Sequence, residues 1–461
     1  MSGRVVAIVG GGFSGSLLAL HLLRSATSGL HIYLIEKGEA FGRGVAFSTR
    51  RPDHLLNVRA GNMSAYADQP THFQDWLAVQ TGRPADPFSF APRWVYGDYL
   101  QAQLRAAAQS QSAAGRLTLV GDEATEIVPA GGRLLVRLGV GRSLQADTVV
   151  LATGHGAPME IVPRASRFAS DPHYVANPWA PNALDRIKPD DRVLLLGSGL
   201  TAIDVIASLD GAGHRAEIVA LSRNGLLPRR HARAVGATVA WTRRPGETLS
   251  NTLRRFRRDA DRLSDWRRAF DGLREQVQTV WSGLSETERR RALRHLRPWW
   301  DVHRHRMAPE VAARIDERLA SKRLRIVAGR MLSLRAEIGG VTITWRERTN
   351  TSIRADRTEW VVNCTGPEGD PRRSSNEVVR RLVETGLARP DPLCLGLDVG
   401  AEGQLIGAEG IMGHELYGLG PLTRGALWEV TAVPDIRIQA ARLAGHIAGN
   451  AAQSQQTKIA S

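Results

Sequence analysis

The chain has 461 residues, 43% apolar and 23% charged, the balance of a globular protein long enough for two or three domains and not of a disordered or fibrous one. Its two cysteines, Cys364 and Cys394, stand far apart, so neither a disulfide framework nor a CxxC pair is available; that removes dithiol–disulfide flavoenzymes and fits a reducing cytoplasm. The net charge of +15 is concentrated between residues 223 and 306, where 21 Arg face 9 Asp or Glu, an excess of 12.

No apolar run approaches the roughly 18 residues that a membrane span needs. SLLALHLL near the start follows a strand and a glycine turn and lacks a basic leader, so it reads as part of the fold. In chain order, RVVAIVG predicts a buried strand, GGFSG a turn, and SLLALHLLRS a helix with leucines at three- and four-residue spacing. IYLIEK is a second strand ending on Glu36. LTLVGDEATEIV, RLLVRLGV and LQADTVVLATG then predict three strands in hairpin order, closing on Ala152, Thr153 and Gly154.

A linker punctuated by Pro158, Pro163, Pro172, Pro178, Pro181 and Pro189 follows, and the same parts return in the same order. DRVLLLG is a strand, SGLTA a turn, IDVIASL a helix and EIVALSR a strand. RLRIVAGRMLSL, GVTITWRER and RTEWVVNCTG make three more strands ending in Thr365 and Gly366. The expected fold class is α/β: two Rossmann-like dinucleotide-binding domains, each with a three-stranded β-meander, plus a helical Arg-rich insertion.

The chemistry sits in the two glycine turns. In Gly10-x-Gly12-x-x-Gly15 the first glycine permits the tight turn, the second lets a pyrophosphate touch the backbone, and the third lets helix and strand pack closely. Phe13 and Ser14 open the helix, whose N-terminus offers free N–H groups and a positive dipole end. Glu36 stands where a carboxylate accepts from both adenosine ribose hydroxyls and repels a 2'-phosphate, with Lys37 counted beside it. This site is expected to take FAD or NAD.

The second turn, Gly197-Ser198-Gly199-Leu200-Thr201-Ala202, leads to a strand ending in Ser222 and Arg223 instead of an acid. A guanidinium pairs two phosphate oxygens at once, so NADPH is expected here in preference to NADH. The alternative is that Arg223 merely begins the basic segment. Two sites of opposite 2'-preference imply hydride passing from NADPH to a flavin. The domains expected are 1–165 for the first part of the FAD domain, 190–350 for the NAD(P)H domain including a basic insertion at 225–310, and 355–461 for the returning FAD segment.

IVGGGFSG, GRGVAFST, HLLNVRAGNMSAYAD with the following HFQDWL, NPW, LLLGSGLTAID, RPWWDVHRHRMAP and LYGLGPLTRGALWEVTAVPDIR resemble the bacterial FAD-NAD(P)-binding proteins related to two-dinucleotide-domain (class B type) flavin monooxygenases. The resemblance covers nearly the whole chain. It implies an FAD domain, an NAD(P)H domain and N-hydroxylation of a small amine or amino acid by oxygen through a flavin C4a-hydroperoxide, with nitrosuccinate-type aspartate N-oxygenases the nearest group with an assigned reaction. Where the wider superfamily often carries Gly-Asp to hold the flavin ribityl chain, this chain has Gly420-Pro421, which leaves those contacts to backbone and Thr423.

Such chemistry needs no triad or paired carboxylates. Asn57 and Arg59 are expected at the flavin edge, by resemblance and because amide and guanidinium groups can hydrogen-bond the ring; a loop Asn satisfying its own turn is the plain alternative. Gly42 and Gly44 let the GRGVAFST loop approach the cofactor or simply turn the chain, and Gly154 is counted with the cofactor residues. His295, His303 and His305 lack a suitable further ligand and a reason for metal, so packing or helix-end roles are expected. Trp299 and Trp300 either wall a substrate pocket or pack a core, the second being favoured.

The basic segment reads as amphipathic helices whose arginines are solvated, or draw an anionic amine or amino acid to a cleft; no nucleic-acid module accompanies the charge. Rival functions are an NADPH-dependent flavin reductase serving a quinone or partner protein, and a non-catalytic basic cofactor-binding protein.

Overall fold

The computed structural model describes residues 3–25, 29–38, 40–110, 116–162, 166–232 and 238–460. Chain order begins with β1 (Arg4–Val9), α1 (Phe13–Arg24), β2 (Leu30–Glu36), α2 (Gly44–Phe47), α3 (His72–Thr81), α4 (Arg93–Gln109), β3 (Leu117–Gly121), β4 (Ala124–Ala130), β5 (Arg133–Leu138), β6 (Ser143–Ala146) and β7 (Thr148–Leu151). The linker carries β8 (Tyr174–Val175), and the second half opens with β9 (Val193–Leu196), α5 (Leu200–Gly211) and β10 (Ile218–Ser222).

The insertion is α6 (Leu249–Asp261), α7 (Trp266–Arg274), α8 (Val277–Ser282), α9 (Glu286–His295) and α10 (Arg297–Arg304). Then come α11 (Pro309–Ala320), β11 (Leu324–Glu337), β12 (Gly340–Glu347), β13 (Ile353–Thr358) and β14 (Trp360–Asn363), followed by α12 (Glu377–Glu384), β15 (Leu416–Gly418) and α13 (Val433–Ala460).

The first sheet is wholly parallel, in the order β15-β7-β1-β2-β3. The second repeats that core as β8-β14-β9-β10-β11 and continues antiparallel through β12 and β13. Central strands buried on both faces explain the unbroken apolar runs VVAIV and VLLL. The outer strand of each sheet comes from a different part of the chain: the return segment supplies β15 to the first sheet, and the linker supplies β8 to the second.

Each half has its expected three-stranded meander, β4-β5-β6 and β11-β12-β13, but the two are attached differently to the parallel sheets. In the first half LTLVGDEATEIV breaks at Asp122 into β3, which joins the parallel sheet, and β4, which starts a separate three-stranded sheet β4-β5-β6. LQADTVVL breaks likewise at Asp147, whose carboxylate takes the Val5 N–H at 2.7 Å and a two-toothed contact from Arg133. In the second half β11 does both jobs without a break, pairing with β10 up to Ala328 and with β12 from Gly329, so its meander is fused to the main sheet.

The boundaries shift accordingly. Residues from 355 were expected to open the return segment, yet β13 and β14 belong to the second sheet, and β8 extends that sheet upstream of 190. The physical reason is the fully buried WVVN of β14, whose backbone groups are paired by β9 on one side and β8 on the other.

Apolar cores lie on both faces of each sheet, one pair built around α1, α4 and α13 and the meander side, the other around α5, α11 and β12. The insertion packs onto the return segment through Trp281, Leu284 and Trp428. Among the described residues no helix is long and apolar enough to cross a membrane.

Candidate functional site

Both glycine turns leave the carboxyl end of a central parallel strand and enter a helix of 12 residues, the position at which open α/β sheets bind ligands. Gly10 has φ +107° and Gly197 φ +121°. A Cβ on either would run into a carbonyl oxygen of the neighbouring strand end, Ala152 and Cys364 respectively, so both positions require glycine. Gly12 and Gly199 start the helices in extended conformation with no side-chain cap and no acid in the first turn, leaving the first-turn N–H groups for an anion.

Around the first turn, Glu36 accepts the Gly11 N–H at 2.8 Å through Oε2 and the Gly38 N–H at 2.9 Å through Oε1. The carboxylate is thereby fixed at the strand end with lone pairs left for ribose hydroxyls. Lys37 is turned to the surface, where it pairs with Glu123 at 3.0 Å. Gly44, φ +56°, brings its loop over Gly12, and Gly42 donates to Gly11 O at 2.7 Å. Phe13 is buried against Phe47 and Tyr96, so only its backbone faces the turn.

Ser14 sits against Gly420 of the return segment; a Cβ on Gly420 would lie 2.7 Å from Ser14 Oγ. Thr423 departs from its expected role. It is wholly buried, donates to Gly420 O at 2.9 Å and accepts from Gln439 Nε2 at 3.1 Å, so its hydroxyl shapes the turn instead of offering a donor to a ribityl chain. The same Gln439 takes the Gly420 N–H at 2.9 Å.

The second turn is more open. Gly199 is exposed, with nothing near the place a Cβ would occupy, and Leu200 and Thr201 follow half-buried. Ser198 is buried and donates to Leu226 O at 2.6 Å, while Ser222 is bonded to Ser198 at 2.8 Å and accepts the Gly225 N–H at 3.1 Å. The Ser222 hydroxyl thus also helps hold the 222–226 turn. Arg223 is exposed and has no carboxylate partner among the described residues. Arg348, which the sequence reading missed, donates to Arg223 O at 3.1 Å and to the Asn224 side chain, bringing a second guanidinium to this edge.

The two halves are pinned together. Arg93 pairs at 2.8 Å with Asp204 on α5, and His54 contacts Ser208 Oγ at 2.8 Å and Asp204 O at 3.1 Å. Asp204 is buried, and desolvation pushes its carboxyl up from the usual range against the pull of Arg93 and His54. The outgoing and returning linkers also meet, through a bridge between Pro158 and Pro367 and a bond from Met159 N to Gly366 O at 2.8 Å.

Asn57 is half-buried with its carbonyl taking His231 Nε2 at 3.0 Å, and its amide makes no hydrogen bond among the described residues. Arg59 lies over the rings of Phe88 and Phe90, 5.5 Å from each, and donates to Ala232 O at 2.6 Å. Its guanidinium is thus engaged as a tie between the halves. His303 packs against Trp266 and Phe270 and bonds Trp299 O, and His295 is exposed. Trp300 packs on Phe270 and donates to Glu429 at 2.9 Å, whereas Trp299 is 47% exposed.

The insertion's arginines are only partly solvated. Arg304 pairs with Glu429 at 2.6 Å and Arg274 with Asp435 at 3.1 Å, both on the return segment. Trp281 Nε1 donates to Gly425 O at 2.8 Å and Gln278 to Ala426 O at 2.9 Å. The insertion is a clamp across the cleft, built on contacts that no spacing in the sequence announces.

Residues 7–156 match the model of a family described as FAD-NAD(P)-binding, and the whole chain has the fold of flavoenzymes with two dinucleotide domains. No curated protein matches the sequence. Among solved structures, an ornithine N-hydroxylase from Kutzneria sp. 744, in complex with reduced FAD, NADP+ and L-ornithine, aligns at TM-score 0.65 and 15% identity over 97% of this chain and 99% of that one. Ornithine hydroxylase from Pseudomonas aeruginosa aligns at 0.63 and 14% over 97% and 99%. A cadaverine monooxygenase from Erwinia amylovora, bound to FAD, aligns at 0.65 and 13% over 95% and 92%. At such identities the likeness establishes the fold.

Proposed function

We propose that this protein is an FAD-dependent, NADPH-consuming monooxygenase that hydroxylates the nitrogen of a small amine or amino acid. The observation that carries the reading is the presence of two glycine turns of the same build in one chain, one leading to Glu36 and covered, the other leading to Arg223 and open. The N-hydroxylating activity of the similar solved structures supports the choice of reaction.

Bound FAD would supply hydride acceptance and activation of dioxygen. The chain's own part is to hold and orient. Gly10, Gly12 and Gly15 with the N-terminus of α1 would carry its pyrophosphate and Glu36 its ribose. Gly197, Gly199 and α5 would carry the NADPH pyrophosphate, with Arg223 and Arg348 on the 2'-phosphate. The free Asn57 amide is the group best situated to hydrogen-bond the flavin edge or the substrate. The clamp over the return segment would limit water entry.

A reductase is the competing reading. The lone, buried Cys364 and the distant Cys394 offer it no dithiol relay. The test is to load the purified protein with FAD, supply NADPH and oxygen with a panel of diamines and amino acids, and measure hydroxylamine and hydrogen peroxide together. Hydroxylamine formed in step with NADPH consumption is expected for at least one compound. NADPH oxidation that yields stoichiometric peroxide with every compound would favour the reductase, and failure to retain FAD would refute both.

A further inference from the structure

The loop from Gly42 to Thr49, which covers the first glycine turn, is held at both ends by groups that also touch α5, the helix of the second turn. At its start Arg43, 4% exposed, donates to Asp98 and, at 3.0 Å, to Gln101 Oε1, both on α4. The approach of α4 is so close that a Cβ on Gly97 would lie 2.7 Å from Arg43 Nη1 and from Phe47 O. At the end of the loop Thr49 Oγ1 meets His54 Nδ1 at 2.9 Å. The other ring nitrogen, Nε2, lies 3.1 Å from Asp204 O and 2.8 Å from Ser208 Oγ, both on α5. Asp204 also pairs at 2.8 Å with Arg93, the first residue of α4, whose backbone N–H donates to His54 O at 2.8 Å.

The partners fix which ring nitrogen carries the hydrogen. Burial holds His54 below its ordinary 6.5, so the imidazole is neutral at neutral pH and has one N–H. A backbone carbonyl oxygen only accepts, which puts that hydrogen on Nε2, facing Asp204 O, and leaves Nδ1 to accept from the Thr49 hydroxyl. The Thr49 oxygen takes the Arg51 N–H at 3.3 Å, and the Arg51 guanidinium donates to Ser208 O at 3.2 Å. His54 is buried, as are Asp204 and Ser208, so water does not compete for the bonds to α5. Asp204 and Ser208 stand four residues apart on one face of the helix whose open end is Gly199.

We propose that His54 is a positioning residue that couples the two dinucleotide sites: a dinucleotide seated on α5 holds the Gly42–Thr49 loop closed over the flavin and slows flavin release. The proposal rests on the reading of the first turn as the FAD site and the second as the NADPH site. Its physical basis is shared rigidity. A ligand on the N-terminus of α5 fixes Asp204 and Ser208, these fix the imidazole, and the imidazole fixes the far end of the cover. The ordering entropy lost to one ligand is then not lost again to the other. By linkage the coupling is reciprocal, so bound FAD tightens NADP+ by the same factor.

The test follows the fluorescence of FAD leaving the FAD-loaded protein on dilution, without and with saturating NADP+, whose binding calorimetry reads separately. NADP+ is expected to slow release at least about fivefold in the unaltered protein. Thr49→Val keeps the shape and removes the hydroxyl, while His54→Asn keeps a polar group near the Nδ1 position and is too short to reach α5. Each is expected to cut the NADP+ effect to less than about twofold while NADP+ still binds. A purely structural role would speed release equally in both conditions and leave their ratio intact; that result in both variants overturns the proposal. So does release from the unaltered protein at one rate whether or not NADP+ is bound. FAD that is not retained, or NADP+ that does not bind, would refute the two-site reading and this coupling with it.

Discussion

The two glycine turns are nearly superimposable in design and differ in what surrounds them. Gly10 and Gly197 share left-handed backbone, Gly12 and Gly199 share extended N-caps, and α1 and α5 share a length of 12 residues. The first turn lies under Gly44 and is closed by Gly420 against Ser14, while Gly199 stands in open space. A covered site suits a resident cofactor and an open one suits a ligand that must arrive and leave. On the proposed reading the repeated motif would set where a dinucleotide binds, and the cover, drawn from distant chain, how long it stays.

The comparison can be broken first at the third position of each turn. A Cβ on Gly15 would run into Gly10 O, whereas the second half already accommodates Ala202 there. Gly15→Val should cost about 3 kcal/mol or more through overpacking and abolish flavin retention. Ala202→Gly should leave a folded yellow protein, and absorbance after gel filtration reads both. Next is the clamp: Arg304 and Glu429 are each 9% exposed, and Arg304→Ala strands a buried carboxylate at a cost of about 3–5 kcal/mol. Hydrogen exchange should then rise over the return segment, with flavin lost on dilution and the 197–201 turn unaffected.

A smaller effect sharpens the opposite 2'-preferences. Arg223→Ala should raise KM for NADPH about tenfold, or about 1.4 kcal/mol, with KM for NADH within about twofold, and Arg348→Ala should act in the same direction more weakly. Equal changes for both nucleotides would refute the assignment.

Smallest is a pH effect at the tie between the halves. His231 is held at about 4, chiefly by burial, against 6.5 when unfolded. Below 6.5 the unfolded chain takes the proton first, so the contribution is present above 6.5 and lost as pH falls toward 4, with a slope of at most about 1.4 kcal/mol per pH unit. His231→Gln, which can still donate to Asn57 O, should flatten melting temperature against pH in that window.

Much of the cofactor machinery was legible because it is local. A glycine required by φ and close approach, a buried strand before it and a polar residue at the end of the next strand all lie within 30 residues of one another. At Ser222 and Thr423 a hydroxyl at the expected address also serves its own turn, which only the hydrogen-bond partners reveal.

By itself, then, the sequence determined the duplicated α/β design, the two dinucleotide turns and the acid-versus-arginine contrast between Glu36 and Arg223, because short-range sterics and strand burial impose those choices. The tertiary structure alone decided the separate and fused meanders, the clamp of the insertion on Glu429 and Asp435, and the Arg93–Asp204 pin. Each of these depends on which partners, distant in the chain, arrive within hydrogen-bonding distance after folding.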